Sequence, residues 1–476
     1  MRSSLVGCSR KSVALLSLLS LLCIARPAPA AAQAADPAPT TDPRLVKLLD
    51  SVSPDRLIAI VQKLQSFQTR NLMSSVDTPN RGIGAARQWI FDEFKSYSPN
   101  LQVSFDTYQV ARQGARIARD VELRNVMAVL PGKTARRVYI SGHYDTVARI
   151  PAPPGTKGPA GGVFDWAHAD NYAPGANDDG SGTALTMELA RVFSQSGIQF
   201  NDTLVFIAFA GEEQGLVGSW LHAHKDSQEH VVVDGEFNND IVGDPSGGTG
   251  LIDSSSLRLF SEGPMDSPSR ALARFAWRMA GIYIPSHTVH RIARQDRFGR
   301  GGDHSSFNQF GYPAVRFTVS EETYERQHSV LDTADHVSGT YLADNARVNA
   351  AAAANLALAP PAPVVTTDRG RPMLGRGPSG YDADLKWNAS PGAVAYRVVW
   401  RDGWSLDWQH EVRVGNVTEL VLPKTSIDNY IFGVAAIGPD GHESPVTAYV
   451  NPVRADETIK TVPGTGGQPG PPRPRP

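Results

Sequence analysis

Five short segments of the 476-residue chain gather the side chains able to hold a metal or move a proton. ISGHYDTV places His143 directly after an apolar run, with Asp145 two residues on. GANDDGSG carries Asp178 and Asp179, FAGEEQG carries Glu212 and Glu213, FNNDIVG carries Asp240, and RQHSVLDT carries His328. Imidazoles and carboxylates are the ligand types of a hydrolytic zinc site. Two zinc ions held about 3.5–4 Å apart need a shared carboxylate against their mutual repulsion. Each also needs nitrogen or oxygen ligands at about 2.0–2.2 Å, with one position left for water. Two histidines and three carboxylates meet that demand. One more carboxylate beside them can take the proton of the attacking water. Neighbouring residues after a strand point in different directions, so an acidic doublet can supply a ligand and a base together. The Asp of His-x-Asp is placed to hydrogen-bond the ligating imidazole and fix its tautomer.

Elements that could position these segments are legible around them. Ser53 followed by Pro54 reads as a helix start, running through LIAIVQKLQSF, and a second helix covers 84–97. Strands are predicted near 103–110, 121–130 and 137–142. LTMELARVF has helical apolar spacing, and Ser181 before it reads as a cap. LVFIAFA at 204–210 is apolar throughout, as a strand covered on both faces must be. Helices follow near 215–226 and 267–281, and YPAVRFTV at 312–319 reads as another buried strand. This alternation implies an α/β domain, helices on both sides of a mixed sheet. His143 and the Glu pair fall at C-terminal strand ends, where open α/β sheets form ligand sites.

The ends of the chain differ in character. Arg2, Arg10 and Lys11 precede the apolar stretch Val13–Ala25, and Ala32-Gln33-Ala34 fits a cleavage site. Residues 1–34 are therefore predicted to be a signal peptide and the mature protein to be exported, periplasmic or extracellular. Leu22 before Cys23 argues against lipidation. Cys8 and Cys23 are the only cysteines, so the mature chain can form neither a disulfide nor a thiolate metal site. Residues 35–44 read as disordered and 45–357 as the α/β domain. A Pro-rich junction then opens a run of short strands with no helical pattern, so 358–453 is predicted to be a small β-sandwich. Trp387, Tyr396, Trp400 and Tyr430 are its expected core aromatics, and its partner is unknown. Residues 454–476 are a low-complexity tail. Formal net charge is −2, which with no long basic run argues against nucleic acid as a partner. Nor does the sequence contain a membrane span.

The five segments, in this order, resemble the co-catalytic dizinc aminopeptidases, zinc exopeptidases related to glutaminyl cyclase and glutamate carboxypeptidase. The resemblance covers roughly 45–357 and implies a three-layer α/β/α fold around a mixed sheet. It also implies two Zn²⁺ and hydrolysis of the N-terminal residue of peptides or proteins. Carried over position by position, it makes Asp178 the bridging ligand. His143 and Asp240 complete one metal site, and Glu213 and His328 the other. Glu212 becomes the general base and Asp145 the partner of His143, and the peptide after the bridging Asp is expected to be cis. One departure stands out. Many members have Tyr before the last His, where its hydroxyl stabilises the tetrahedral intermediate; this chain has Gln327. Tyr324, or the amide of Gln327, is the expected replacement. The WNASPGAVAYRVVWR segment of the sandwich resembles a fibronectin type III module.

Other residues have plainer expected roles. Asp303 and His304 match a family segment and read as site wall, and Asp332 as a cap or a neighbour of the ligands. His222, His224 and His230 are expected to be solvated. Arg297 and Arg300 fit a solvated loop better than a substrate contact. Competing functions are a glutaminyl cyclase-like or carboxypeptidase-like reaction and a non-catalytic binding protein. The presence of His143 and Asp145 argues against the first. The 88 positions from Asp240 to His328 leave too little chain for a carboxypeptidase lid. The complete ligand set argues against the last.

Overall fold

The computed structural model describes residues 41–151 and 162–450. The predicted signal peptide with both cysteines, residues 35–40 and the 454–476 tail lie outside the described residues. An eight-stranded sheet forms the centre, in the order β1-β2-β6-β3-β7-β10-β8-β9. Its strands are β1 (Gln102–Val110), β2 (Val121–Leu130), β3 (Arg137–His143), β6 (Thr203–Phe209), β7 (Val233–Asn239), β8 (Ser256–Ser261), β9 (Thr288–Ile292) and β10 (Ala314–Val319). A separate two-stranded ribbon, β4 (Arg149–Ile150) with β5 (Val163–Phe164), leaves the end of β3. The central strands β6, β3, β7 and β10 run parallel, while β1, β2 and β8 join antiparallel.

Side-chain alternation explains why β6 is apolar beyond Thr203. Leu204, Phe206 and Ala208 enter the core on one face, and Val205, Ile207 and Phe209 the core on the other. The first face is covered by α3 (Gly82–Tyr97), α4 (Gly180–Gln195), α6 (Pro268–Tyr283) and α8 (Gly339–Leu358), with α1 (Pro43–Asp50) and α2 (Pro54–Ser66) packed on these helices. The second face is covered by α5 (Val217–Gln228) and α7 (His304–Gln309). This is the expected mixed sheet between helical layers.

Ser53 caps α2 as expected, and four local expectations are corrected. Helix α1 starts at Pro43, inside the stretch read as disordered, because the Asp42 side chain accepts from the Arg44 amide and caps it. Helix α4 is capped by Asp179 rather than Ser181; the Asp179 side chain accepts from the Gly182 amide. His222 is buried, not solvated: its Nδ1 lies 2.8 Å from Asp106 and its Nε2 3.2 Å from the Tyr139 hydroxyl. His224 is half-buried, with its ring stacked on Trp220.

Beyond α8 two antiparallel sheets enclose a second core. One contains β11 (Leu374–Arg376), β12 (Asp382–Lys386) and β15 (Glu419–Ser426). The other contains β14 (His410–Val414), β13 (Ala395–Asp402), β16 (Tyr430–Ile437) and β17 (Thr447–Ala448). Trp387, Tyr396 and Phe432 are buried between them, with Trp400 and Tyr430 partly buried at the edge. This unit is tied by charge to the segment before α6 and to β9. Buried Arg401 donates to both carboxylate oxygens of Asp266 at 2.9 and 2.8 Å, and Arg291 reaches Asp407 at 2.7 Å. No helix among the described residues is long and apolar enough to cross a membrane.

A buried guanidinium left without its carboxylate is strongly destabilising. Asp266→Ala is therefore expected to lower unfolding stability by about 3 kcal/mol, read as a shift of the urea midpoint. An unchanged midpoint would mean that the two units are not held by this pair.

Candidate metal centre

Strand order decides where the site forms. From β3 the chain crosses through α4 to β6 on one side, then through α5 to β7 on the other side of β3. The crossovers diverge at the C-terminal end of β3, and such a switch point leaves a crevice. His143 is the last residue of β3, Glu212 and Glu213 follow β6, and Asp240 follows β7. His328 lies in the loop after β10, and Asp178 just before α4.

These residues converge as two groups sharing one member. Ligand atoms of His143, Asp178 and Asp240 lie within 4.8 Å of one another, and so do those of Asp178, Glu213 and His328. Asp178 Oδ1 is 3.4 Å from His143 Nε2, and Oδ2 is 3.0 Å from His328 Nε2. Asp240 is 3.9 Å from His143 Nε2, and Glu213 is 3.2 Å from His328 Nε2. Three of the converging atoms, His143 Nε2, Asp178 Oδ2 and Glu213 Oε1, are buried with no hydrogen-bond partner. Buried polar atoms are nearly always paired. Lone pairs aimed at one another without hydrogen bonds are what cation ligands present, so the residues fit a pair of divalent ions.

The surrounding residues lock this geometry. His143 Nδ1 faces the Asp145 carbonyl oxygen at 3.2 Å; donation there leaves Nε2 as the free lone pair. The Asp145 carboxylate does not take the imidazole proton as expected. It stands 3.7 Å away and instead accepts from the amides of Glu212 and Glu213, at 3.1 and 3.2 Å. It thus fixes the acidic doublet relative to β3. Asp179, joined to Asp178 by the expected cis peptide, accepts from the amides of His143, Gly182 and Ile241. One carboxylate therefore ties the ends of β3 and β7 to the start of α4. The approach is so close that a Cβ on Gly182 would lie 2.0 Å from the Asn239 carbonyl oxygen. Asp332 accepts from the amides of Asn177 and Asp178, each at 2.9 Å. Fully buried Arg70 donates to the carbonyls of Leu64, Tyr144, Pro174 and Gly175, stitching down the loop that leads to Asp178.

A buried ion-pair network backs the other side. Arg316, fully buried on β10, reaches Asp240 at 2.9 Å and Asp296 at 2.8 Å. Arg297 pairs with Asp296 and Glu322 and is only 7% exposed, which corrects the solvated-loop expectation. Arg300, partly buried, donates to Gln327 Oε1 at 2.7 Å, while Gln327 Nε2 donates to Glu322. The Gln327 amide is thus committed to this network. Tyr324 is 56% exposed and lines the cavity. His304 is buried, with Nε2 2.9 Å from the Gln295 carbonyl, and Asp303 is buried too.

A cavity of about 320 Å³ opens over the cluster, lined by Glu212, Glu213, Asp178, Asp240 and His328 among others. Electrostatics there are dominated by burial and crowding. Burial raises the Glu212 carboxyl well above its usual value; the charge of His143 opposes this, and those of Glu213 and Asp240 add to it. Burial disfavours charge on the two imidazoles, yet nearby carboxylates outweigh it. His143 is raised well above its usual value, with Glu212 the main acidic cause, and His328 is raised to about 10 by Glu213 and Asp178.

Residues 125–353 match the family model described as peptidase family M28. The chain is 39% identical over 448 residues to a probable zinc metalloprotease of Pyricularia oryzae, covering 85% of this chain and 84% of that one. A second relative so named, from Pyrenophora teres f. teres, is 36% identical over 442 residues, 85% and 86% of the two chains. The chain belongs to the zinc metallopeptidases of family M28. The LapA aminopeptidase of Legionella pneumophila has the M28 chain's fold, with a TM-score of 0.50 at 20% identity over 68% of this chain and 78% of that one. LapB of the same organism aligns with a TM-score of 0.51 at 19% identity, over 67% and 76%.

Metal ligation requires neutral imidazoles, and the neighbouring carboxylates favour the protonated form of both here. Zinc uptake by the metal-free protein is expected to release protons and to weaken as pH falls. Calorimetry in buffers of different ionisation enthalpy measures the release; uptake without it would contradict this electrostatic picture.

Proposed function

We propose that this hydrolase is an exported aminopeptidase using two zinc ions. One is held by His143 and Asp240, the other by Glu213 and His328, with Asp178 shared. The observation that carries the reading is the position of Asp178 between the two imidazoles, 3.4 and 3.0 Å away. When bound, zinc polarises the scissile carbonyl and lowers the pKa of the attacking water. Glu212 takes the water's proton and returns it to the leaving amine. A carboxylate with a raised pKa suits both transfers near neutral pH. Asp145 holds the Glu212 backbone in place, so it acts by positioning. With the Gln327 amide committed to Arg300 and Glu322, Tyr324 is the better placed of the two to meet the oxyanion side of the substrate. The fold shared with the LapA aminopeptidase, together with the predicted signal peptide, supports the reading. The seven C-terminal strands, in sheets of three and four, support a fibronectin type III-like module.

Chelation followed by zinc re-addition, assayed on aminoacyl-anilides beside N-acetylated versions, tests the proposal. Activity should vanish with chelator, return with zinc and be confined to free N-termini. Equal cleavage of blocked substrates would reject aminopeptidase action. Glu212→Gln should retain zinc while losing about 10²–10⁴-fold in kcat; full turnover would remove Glu212 as the base.

A further inference from the structure

The cavity has a cationic side that metal binding and proton transfer leave unexplained. Four arginines line it: Arg116, Arg149, Arg297 and Arg300. Two are already answered inside the protein, Arg297 by Asp296 and Glu322, and Arg300 by Gln327 and Glu322. The other two make no salt bridge among the described residues; Arg149 feels Glu213 and Asp178 only at longer range, and these are the carboxylates that the metals would offset. Arg149, on β4, lies over the Phe164 ring at 4.8 Å, and Arg116 lies over the Trp166 ring at 5.5 Å. The rings of Phe164 and Trp166 are 5.2 Å apart, and Phe164 is 5.2 Å from the His328 ring. An aromatic shelf therefore runs outward from the metal cluster with a guanidinium over each ring. Arg149 is anchored by its own backbone amide, which donates to the His328 carbonyl at 2.7 Å, yet its Nε is buried with no hydrogen-bond partner.

Charge and geometry give this arrangement a purpose. Two divalent cations would offset the four carboxylates that line the cavity, Asp178, Glu212, Glu213 and Asp240. Arg116 and Arg149 would then be an unbalanced positive rim. A guanidinium over a ring keeps its charge and leaves N–H groups for a planar acceptor. The anion that matches them is a carboxylate, bound bidentately. The cavity is at the small end of the roughly 300–1,000 Å³ range of ligand pockets, which suits a short peptide. We propose that Arg149 and Arg116 bind a substrate carboxylate, so that the enzyme selects anionic short peptides. The inference rests on the peptidase reading of the cavity. The carboxylate can be the C-terminus of a short peptide or an acidic side chain.

The test measures binding rather than turnover. The zinc-loaded full-length Glu212→Gln protein is titrated calorimetrically with two matched pairs. Leu-Gly-Gly against its C-terminal amide probes the terminal carboxylate. Leu-Glu-Gly-amide against Leu-Gln-Gly-amide probes the side chain. At least one anionic member should bind about tenfold tighter than its neutral partner, and the pair that discriminates identifies the source. The same titrations on protein also carrying Arg149→Gln and Arg116→Gln should bring that ratio to near one, with zinc content and melting temperature checked to show that the fold is kept. Equal binding within both pairs, or a ratio that survives loss of both arginines, overturns the proposal. Cleavage of N-acetylated anilides by the wild-type protein would instead reject the aminopeptidase reading, so the two failures are distinguishable.

Discussion

Asp178 stands between His143 and His328 with one carboxylate oxygen toward each, and much of the molecule serves to keep it there. Burial alone would push a proton onto that carboxyl. The positive charge available on the two imidazoles reverses this and holds it well below its usual range. Around it stand Asp240, Glu213 and Glu212, all aimed into the same small space. Such a crowd of acids in a half-closed site is tolerable only with cations to offset it. The site therefore has an electrostatic requirement that the sheet, the loops and the buried arginines must satisfy together.

Backbone anchoring meets the geometric half of that requirement. Asp145, Asp179 and Asp332 ligate nothing themselves in this scheme. Each accepts main-chain amides beside a ligand: Asp145 those of the Glu doublet, Asp179 that of His143, and Asp332 that of Asp178. Arg70 and Arg316 work from the opposite sign, the first gathering carbonyls of the Asp178 loop and the second holding Asp240 against Asp296. The ligands are thus held by main-chain contacts that do not involve a cation. Buried salt bridges of this kind are weak sources of stability; here they set direction and spacing.

The central layer of this design was legible in the sequence because its signals are local. The apolar run of β6, the capped start of α2 and the order of the five acidic and histidine segments all survive in the structure. What escaped depended on contacts between distant segments. His222 looks solvated until β1 brings Asp106 beside it. Arg297 looks like a loop residue until Glu322 meets it. The bonds from the Glu doublet amides to Asp145 escaped because those amides lie 67 and 68 residues away. One overlooked signal was readable: Arg316 sits in the middle of the apolar run AVRFTV. A charge placed there must have a buried partner, and Asp240 was the nearest carboxylate at a neighbouring strand end. The arginine and aromatic shelf carried no sequence signal, since Arg116, Arg149, Phe164 and Trp166 come together only through the ribbon beside β3 and the loop between β1 and β2.

Anomalous diffraction at the zinc edge from crystals of the zinc-loaded protein tests the central arrangement most directly. The account predicts two peaks about 3.5–4 Å apart, with Asp178 touching both, His143 and Asp240 on one and Glu213 and His328 on the other. A single peak at full zinc occupancy, or two peaks with Asp178 bound to only one of them, would contradict it.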